Sequence, residues 1–219
     1  MLSDLQARTM LSLQAAMNAR VDPNWVAARY PYMRAVVIEA AEAIEHHGWK
    51  WWKKQDKDLP QLQMELIDIW HFLLSEILLN VGGNETKALL KLTEQLESIA
   101  ASQQVNFDGK HYTINSIELL DQLELLIALS AARKIELSVF AAIMSNCEMS
   151  WTELYCQYVG KNVLNFFRQD HGYQDGTYLK VWNGREDNEY LVEIMAGLDP
   201  RDPGYKDKLY AALDSHYPN

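Results

Sequence analysis

Two acidic pairs in this chain have the spacing to do chemistry together: Glu39 with Glu42, and Glu65 with Asp68. On an α-helix, side chains at i and i+3 lie about 60° apart and project from one face. Each pair could therefore share a cation. Glu65 and Asp68 fall inside the apolar run Leu62, Met64, Leu66, Ile67 and Ile69, where an acid needs a partner. Magnesium is a hard ion that takes oxygen ligands, and four carboxylates on two packed helices would suit one or two such ions beside substrate phosphates. The bland reading of any single Glu-x-x-Glu is a solvated helix face, as Glu94 with Glu97 illustrates. Di-iron bundles use related geometry but require Glu-x-x-His, which the sequence lacks. Asp68 with His71 comes nearest, and His71, flanked by Trp70 and Phe72, reads as a core histidine. Glu45 extends the acidic spacing by three more residues, and the sequence leaves open whether it faces the other acids or solvent.

Phosphate-binding chemistry has its own candidates. There is no P-loop: Gly160-Lys161-Asn162 has neither the leading glycine nor the Ser or Thr that would hold magnesium. Residues 160–188 nevertheless concentrate Lys161, Arg168, Lys180 and Arg185 in an acidic protein. Lys161, Asn165 and Arg168 fall near one helical face, from which the Arg168 guanidinium could fork onto phosphate oxygens. Taken singly, each basic residue reads as a solvated surface group. Trp49, Trp51 and Trp52 could wall a base pocket or pack against a neighbour. Gln14 and Asn18, at i and i+4, offer donors and acceptors suited to a pyrimidine edge.

The elements that must position these groups are helices. Apolar residues recur at helical spacing nearly everywhere, as in Leu11, Leu13 and Met17 or Ile117, Leu120, Leu123 and Ile127, while sustained strand alternation is scarce. Punctuation by Gly, Pro, Asn and Asp predicts helices near 3–19, 31–47, 60–80, 84–102, 115–133, 135–147, 149–170, 187–196 and 204–215. An Asp108-Gly109 turn is expected within 103–113, and residues 172–186 are expected to be an ordered functional loop. The fold class is all-α: a compact bundle of about eight to ten helices, read as one domain over 1–219.

Composition narrows the function. The chain has 219 residues, 48% of them apolar, enough for a real core. A net charge of −10 argues against extended nucleic-acid binding but allows a small polyanion if metal ions cancel the carboxylate charge. The most apolar stretch, Leu66 to Leu79, contains Asp68, His71 and Glu76 and falls short of the roughly 20 residues a bilayer crossing needs. No membrane association is expected. The first residues lack the features of an export signal, and Cys147 and Cys156 form no disulfide framework, so a cytoplasmic location is expected.

Taken in order, Leu13-Gln14 through Asn18, Glu39-x-x-Glu42, Gly48-Trp-Lys-Trp-Trp52-Lys and Glu65-Leu-Ile-Asp68-Ile-Trp-His-Phe72 resemble the dimeric dUTPases of the all-α nucleoside triphosphate pyrophosphatases. The most specific similarity is Leu164-Asn165-x-x-Arg168-Gln169-x-x-Gly172-Tyr173-x-x-Gly176-Thr-Tyr178-x-Lys180, followed by Glu186-Asp187-Asn188. The similarity touches roughly residues 11–190.

The resemblance implies hydrolysis of dUTP, and of dUDP, to dUMP with release of diphosphate or phosphate. It implies that Glu39, Glu42, Glu65 and Asp68 bind magnesium, two or more ions, with manganese as an alternative. Glu39 would also be catalytic, orienting the attacking water. Gln14, Asn18, Trp52 and Asn165 would frame the nucleotide; Lys161, Arg168 and Lys180 would grip phosphates; Tyr173 and Asn188 would help to close the site. A homodimer is implied as well. Two rivals remain open to the sequence. One is a related pyrophosphatase acting on another nucleotide, such as dCTP or a non-standard one; the other is a non-catalytic helical interaction protein.

Overall fold

The computed structural model describes residues 1–99 and 103–218, and among these the chain forms ten α-helices and two two-stranded antiparallel hairpins. The all-α class is thus the observed one. Two compact units make up the chain, Met1–Trp151 and Thr152–Asn219.

In the first unit, α1 (Asp4–Val21) starts from a capping box in which Ser3 and Gln6 satisfy each other's backbone N–H. A single turn, α2 (Trp25–Ala28), follows, which the apolar spacing did not reveal. Helix α3 (Tyr32–His47) and helix α4 (Leu59–Asn80) pack on each other most extensively, and α3 also packs on α6 (Leu119–Ala131). The reason is the stripe Met33, Val36, Ala40 and Ala43, all fully buried. Its two alanines let the neighbouring helices approach α3 closely. Helix α4 is buried on nearly all sides, with Leu62, Leu66, Ile69, Trp70, Leu73 and Leu74 in the core. Asp58 caps its N-terminus and Pro60 occupies its first turn.

Helix α5 (Glu85–Ser98) is capped by Asn84 and ends short of the expected 84–102; residues 100–102 of that prediction lie outside the described ones. Strands β1 (Gln104–Phe107) and β2 (Lys110–Thr113) form a hairpin, and its tip is the expected Asp108-Gly109 turn. Both tip residues have positive φ, 50° and 73°, as a primed two-residue turn demands. Helix α7 (Leu137–Asn146) completes this unit's helices.

In the second unit, α8 (Trp151–Asp170) is followed by the turn at 171–176 and a small hairpin. Its strands are β3 (Val181–Trp182) and β4 (Arg185–Glu186). Helices α9 (Asp187–Ala196) and α10 (Tyr205–His216) then pack on one another. The core here is aromatic: Phe167 of α8 is surrounded by His171, Tyr178, Trp182, Tyr210 and Tyr217, with ring centroids 3.9 to 6.3 Å away. The loop at 172–186 is therefore held by ring packing, and by the Tyr217 hydroxyl accepting the Leu179 N–H at 3.0 Å. Among the described residues no helix is long and apolar enough to cross a membrane.

Candidate active site

The acidic pairs are brought together by the packing of α3 on α4. Glu39, Glu42 and Glu65 each present an oxygen within 4.8 Å of the others. Their burial is graded: Glu42 is exposed, Glu39 half-buried and Glu65 buried. The crowding has an electrostatic signature. The Glu39 carboxyl is pushed up to about 7, first by partial burial, then by the charges of Asp68, Glu42 and Glu65, and by a hydrogen bond with Glu65. Such a cluster of hard oxygen donors, with like charges held close together, suits a divalent cation. The donor set thus fits magnesium.

One neighbour escaped the sequence reading. His46 Nε2 lies 3.3 Å from Glu65 Oε1. It sits on α3 four residues beyond Glu42, on the same helical face, and that spacing was the signal available for it.

Glu45 does not belong with these acids. Its Oε1 accepts the Trp49 indole N–H at 2.7 Å and its Oε2 accepts Lys50 Nζ at 3.2 Å. Those bonds hold its carboxyl below the usual range. Glu45 therefore fastens the loop between α3 and α4. Trp49, Trp51 and Trp52 pack edge to face on one another there, with centroids 4.5 to 6.4 Å apart, and Trp51 and Trp52 remain exposed. The loop closes on itself: the Asp58 N–H donates to the His46 carbonyl at 2.8 Å and the Lys50 N–H to Gln55 Oε1 at 2.8 Å. Gly48 turns into it with φ +83°.

Gln14 and Asn18 of α1 are both buried and meet α4. Gln14 Nε2 donates to Asn18 Oδ1 at 3.0 Å and to Ser75 Oγ at 2.8 Å, and Gln14 Oε1 is 2.9 Å from His71 Nδ1. Ser75 also donates to Asn18 Oδ1 at 3.2 Å. The Asn18 Nδ2 is buried with no hydrogen-bond partner among the described residues. A buried amide donor in that condition is ready for a carbonyl acceptor. His71 is thus tied to the polar network and not merely to the core, while Ser75 is a member that the sequence reading missed.

In the second unit, three expected substrate residues meet at one guanidinium. Arg168 reaches Asn165 Oδ1 at 3.5 Å and Asn188 Oδ1 at 3.3 Å. Its Nε and Nη2 also take both oxygens of Asp187, at 2.8 and 2.9 Å. Asp187 is fully buried and accepts the Tyr178 hydroxyl at 2.7 Å. Burial alone would raise the Asp187 carboxyl; the Arg168 and Tyr178 hydrogen bonds outweigh it and leave the carboxyl lowered. Lys161 is half-buried one helical turn before Asn165. Tyr173 is exposed, its N–H bonded to the Arg168 carbonyl at 2.9 Å. Lys180 is exposed and pairs with Glu186 at 3.2 Å. Neither Asp187 nor Tyr178 stood among the expected site residues.

A family model described as dUTPase matches residues 6–173, well over half of the chain. The chain belongs to the dimeric, all-α dUTPase family, and its activity is that of a dUTP diphosphatase. No curated protein matches the sequence significantly. The matched span includes both acidic pairs, the tryptophan loop and Lys161 through Tyr173, and ends before Tyr178, Lys180 and Asn188.

Proposed function

We propose that the chain hydrolyses dUTP to dUMP and diphosphate, and dUDP to dUMP and phosphate, with magnesium held by Glu39, Glu42, Glu65 and Asp68. The observation that carries this reading is the convergence of Glu39, Glu42 and Glu65 within 4.8 Å. Bound there, two or more magnesium ions, or manganese in their place, would neutralise phosphate charge and acidify water.

Glu39 orients the attacking water and takes a proton from it. The water oxygen attacks the β-phosphorus, the bond from that phosphorus to the bridging oxygen breaks, and dUMP leaves with that oxygen. Lys161, Arg168 and Lys180 hold the phosphates, and Tyr173 and Asn188 close over them. Gln14, Asn18, Asn165 and Trp52 hold the nucleoside. Among these, the buried network of Gln14, Asn18, His71 and Ser75 supports base selection, because a site built from such bonds can reject a mismatched base by about 10⁴ or more.

We read the two compact units as one dUTPase domain, since the family match runs across their boundary. The working form is a cytoplasmic homodimer.

The test is product analysis of the purified chain with each deoxynucleoside and ribonucleoside triphosphate, with magnesium and with chelator. The expected outcome is dUMP and diphosphate from dUTP, abolished by chelation. Preference for dCTP would overturn the base assignment, and turnover undiminished by chelator would overturn the metal assignment.

A further inference from the structure

We propose that Asp187 is a positioning residue for dUTP hydrolysis, which locks the Arg168 guanidinium so that its remaining edge is presented to the phosphates. The inference rests on the phosphate-binding reading of Arg168 given above.

The pairing is side-on and bidentate. Arg168 Nε meets one Asp187 oxygen at 2.8 Å and Nη2 meets the other at 2.9 Å, so two parallel bonds fix the plane of the guanidinium and its rotation within that plane. The Tyr178 hydroxyl donates to Asp187 Oδ2 at 2.7 Å and fixes the carboxylate in turn. Asp187 opens α9 directly after β4, and its own N–H donates to the Lys180 carbonyl at 3.0 Å. One buried carboxylate thereby ties together α8, the 171–180 segment and the start of α9.

What is left of the guanidinium is its Nη1 end, near Asn165 at 3.5 Å, and the second Nη2 proton, near Asn188 at 3.3 Å. Both neighbours are amides, able to turn toward a ligand while Arg168 stays put. An arginine held in this way loses little rotational freedom when an anion binds. Without Asp187 it would swing on its long side chain and need ordering by the substrate. A buried carboxylate would also be an odd neighbour for a phosphate site unless its charge were spent on the guanidinium, and here it is.

The experiment compares Asp187→Asn, Arg168→Gln and the double variant, reading KM and kcat for dUTP. Calorimetry follows binding of the non-hydrolysable α,β-imido-dUTP and of deoxyuridine. Asp187→Asn should raise KM and the imido-dUTP Kd by about tenfold, with kcat changed less than about threefold, the mark of lost positioning in ground and transition states alike. Deoxyuridine, lacking phosphates, should bind as before. In the Arg168→Gln background the Asp187 substitution should add nothing further to KM.

Should Asp187→Asn fail to fold, Tyr178→Phe, which leaves the ion pair intact, should give a smaller rise in KM that again vanishes without Arg168. An equal KM increase in the Arg168→Gln background, or parallel loss of deoxyuridine binding, would overturn the positioning role while leaving Arg168 a phosphate ligand. An unchanged KM in Arg168→Gln itself would remove Arg168 from the phosphate site, and the inference with it.

Discussion

Glu39 on α3 and Glu65 on α4 bring carboxylate oxygens within 4.8 Å of one another, and burial together with the neighbouring negative charges holds a proton on Glu39 up to about 7. Two helices that pack through apolar stripes thus also meet at a point where they would repel if both acids were ionised. Protonation and stability are coupled at that contact.

The first consequence concerns pH. The Glu39 carboxyl is raised from 4.5 to about 7, so the folded chain keeps a proton that the unfolded chain gives up. Stability from this group is therefore full below pH 4.5 and is lost as pH climbs through about 7. In chelator, the melting temperature should fall by about 2–4 °C over that interval, a modest figure because Glu39 is partly open to solvent. Saturating magnesium should remove the slope, since the ion replaces the proton. Melting curves by circular dichroism across pH, with chelator and with magnesium, check this; a slope of the opposite sign in chelator would refute it.

Glu39→Gln removes the charge but keeps the shape. Turnover of dUTP should fall by roughly 10²-fold or more, the scale of general acid–base effects. The metal-free variant should lose most of the fall in melting temperature that the parent shows between about pH 5 and pH 8. Full turnover in this variant would show that Glu39 does not handle the water's proton.

Replacing Gln14 with Ala removes the amide donor that Ser75 and Asn18, both buried, share, and the Gln14 oxygen that faces His71 Nδ1, while the bond from Ser75 to Asn18 stays. The loss should cost about 1–3 kcal/mol of stability. If the network reads the base, the ratio of kcat/KM for dUTP over dCTP should drop by about tenfold or more, because discrimination needs those bonds in place. Steady-state kinetics with both nucleotides decide it: equal losses on the two would leave the network a purely structural one.

Gly48→Ala tests the tryptophan loop. At φ +83° a side chain is strained, and an added Cβ would lie 2.9 Å from Gln55 Cβ. The change should destabilise the chain by more than about 1 kcal/mol and disturb the packing of Trp49 against Trp51 and Trp52. Near-ultraviolet circular dichroism of the indoles should weaken accordingly, and an unaltered spectrum would show that the loop tolerates a different entry.

Much of this was legible in the sequence where chemistry and periodicity coincide. Glu39 and Glu42 flank a buried stripe of helical period, and Glu65 and Asp68 interrupt a buried helix, so both the helices and their convergence could be read together. The Asp108-Gly109 hairpin tip was legible for its turn chemistry, whereas Asn183-Gly184, with φ of 49° and 85°, lay hidden in strands of two residues. What stayed hidden depends on tertiary partners. Glu45 has the spacing of a ligand, yet Trp49 and Lys50 claim it, and nothing in the spacing separates those outcomes. Asp187 reads as an ordinary acid in a helical first turn until folding places a guanidinium against it. His46 and Ser75 likewise act only through residues that the chain brings from another helix.

The acidic centre sits on α3 and α4, which follow one another in the chain and are joined by a short loop closed by its own hydrogen bonds. Contacts of such small sequence separation form early, because little loop entropy opposes them. The helical hairpin is thus expected to bring its like charges together early in folding, before the rest of the core is in place. A divalent ion held by these carboxylates would offset that repulsion, so chelation should slow refolding as well as lower the final stability.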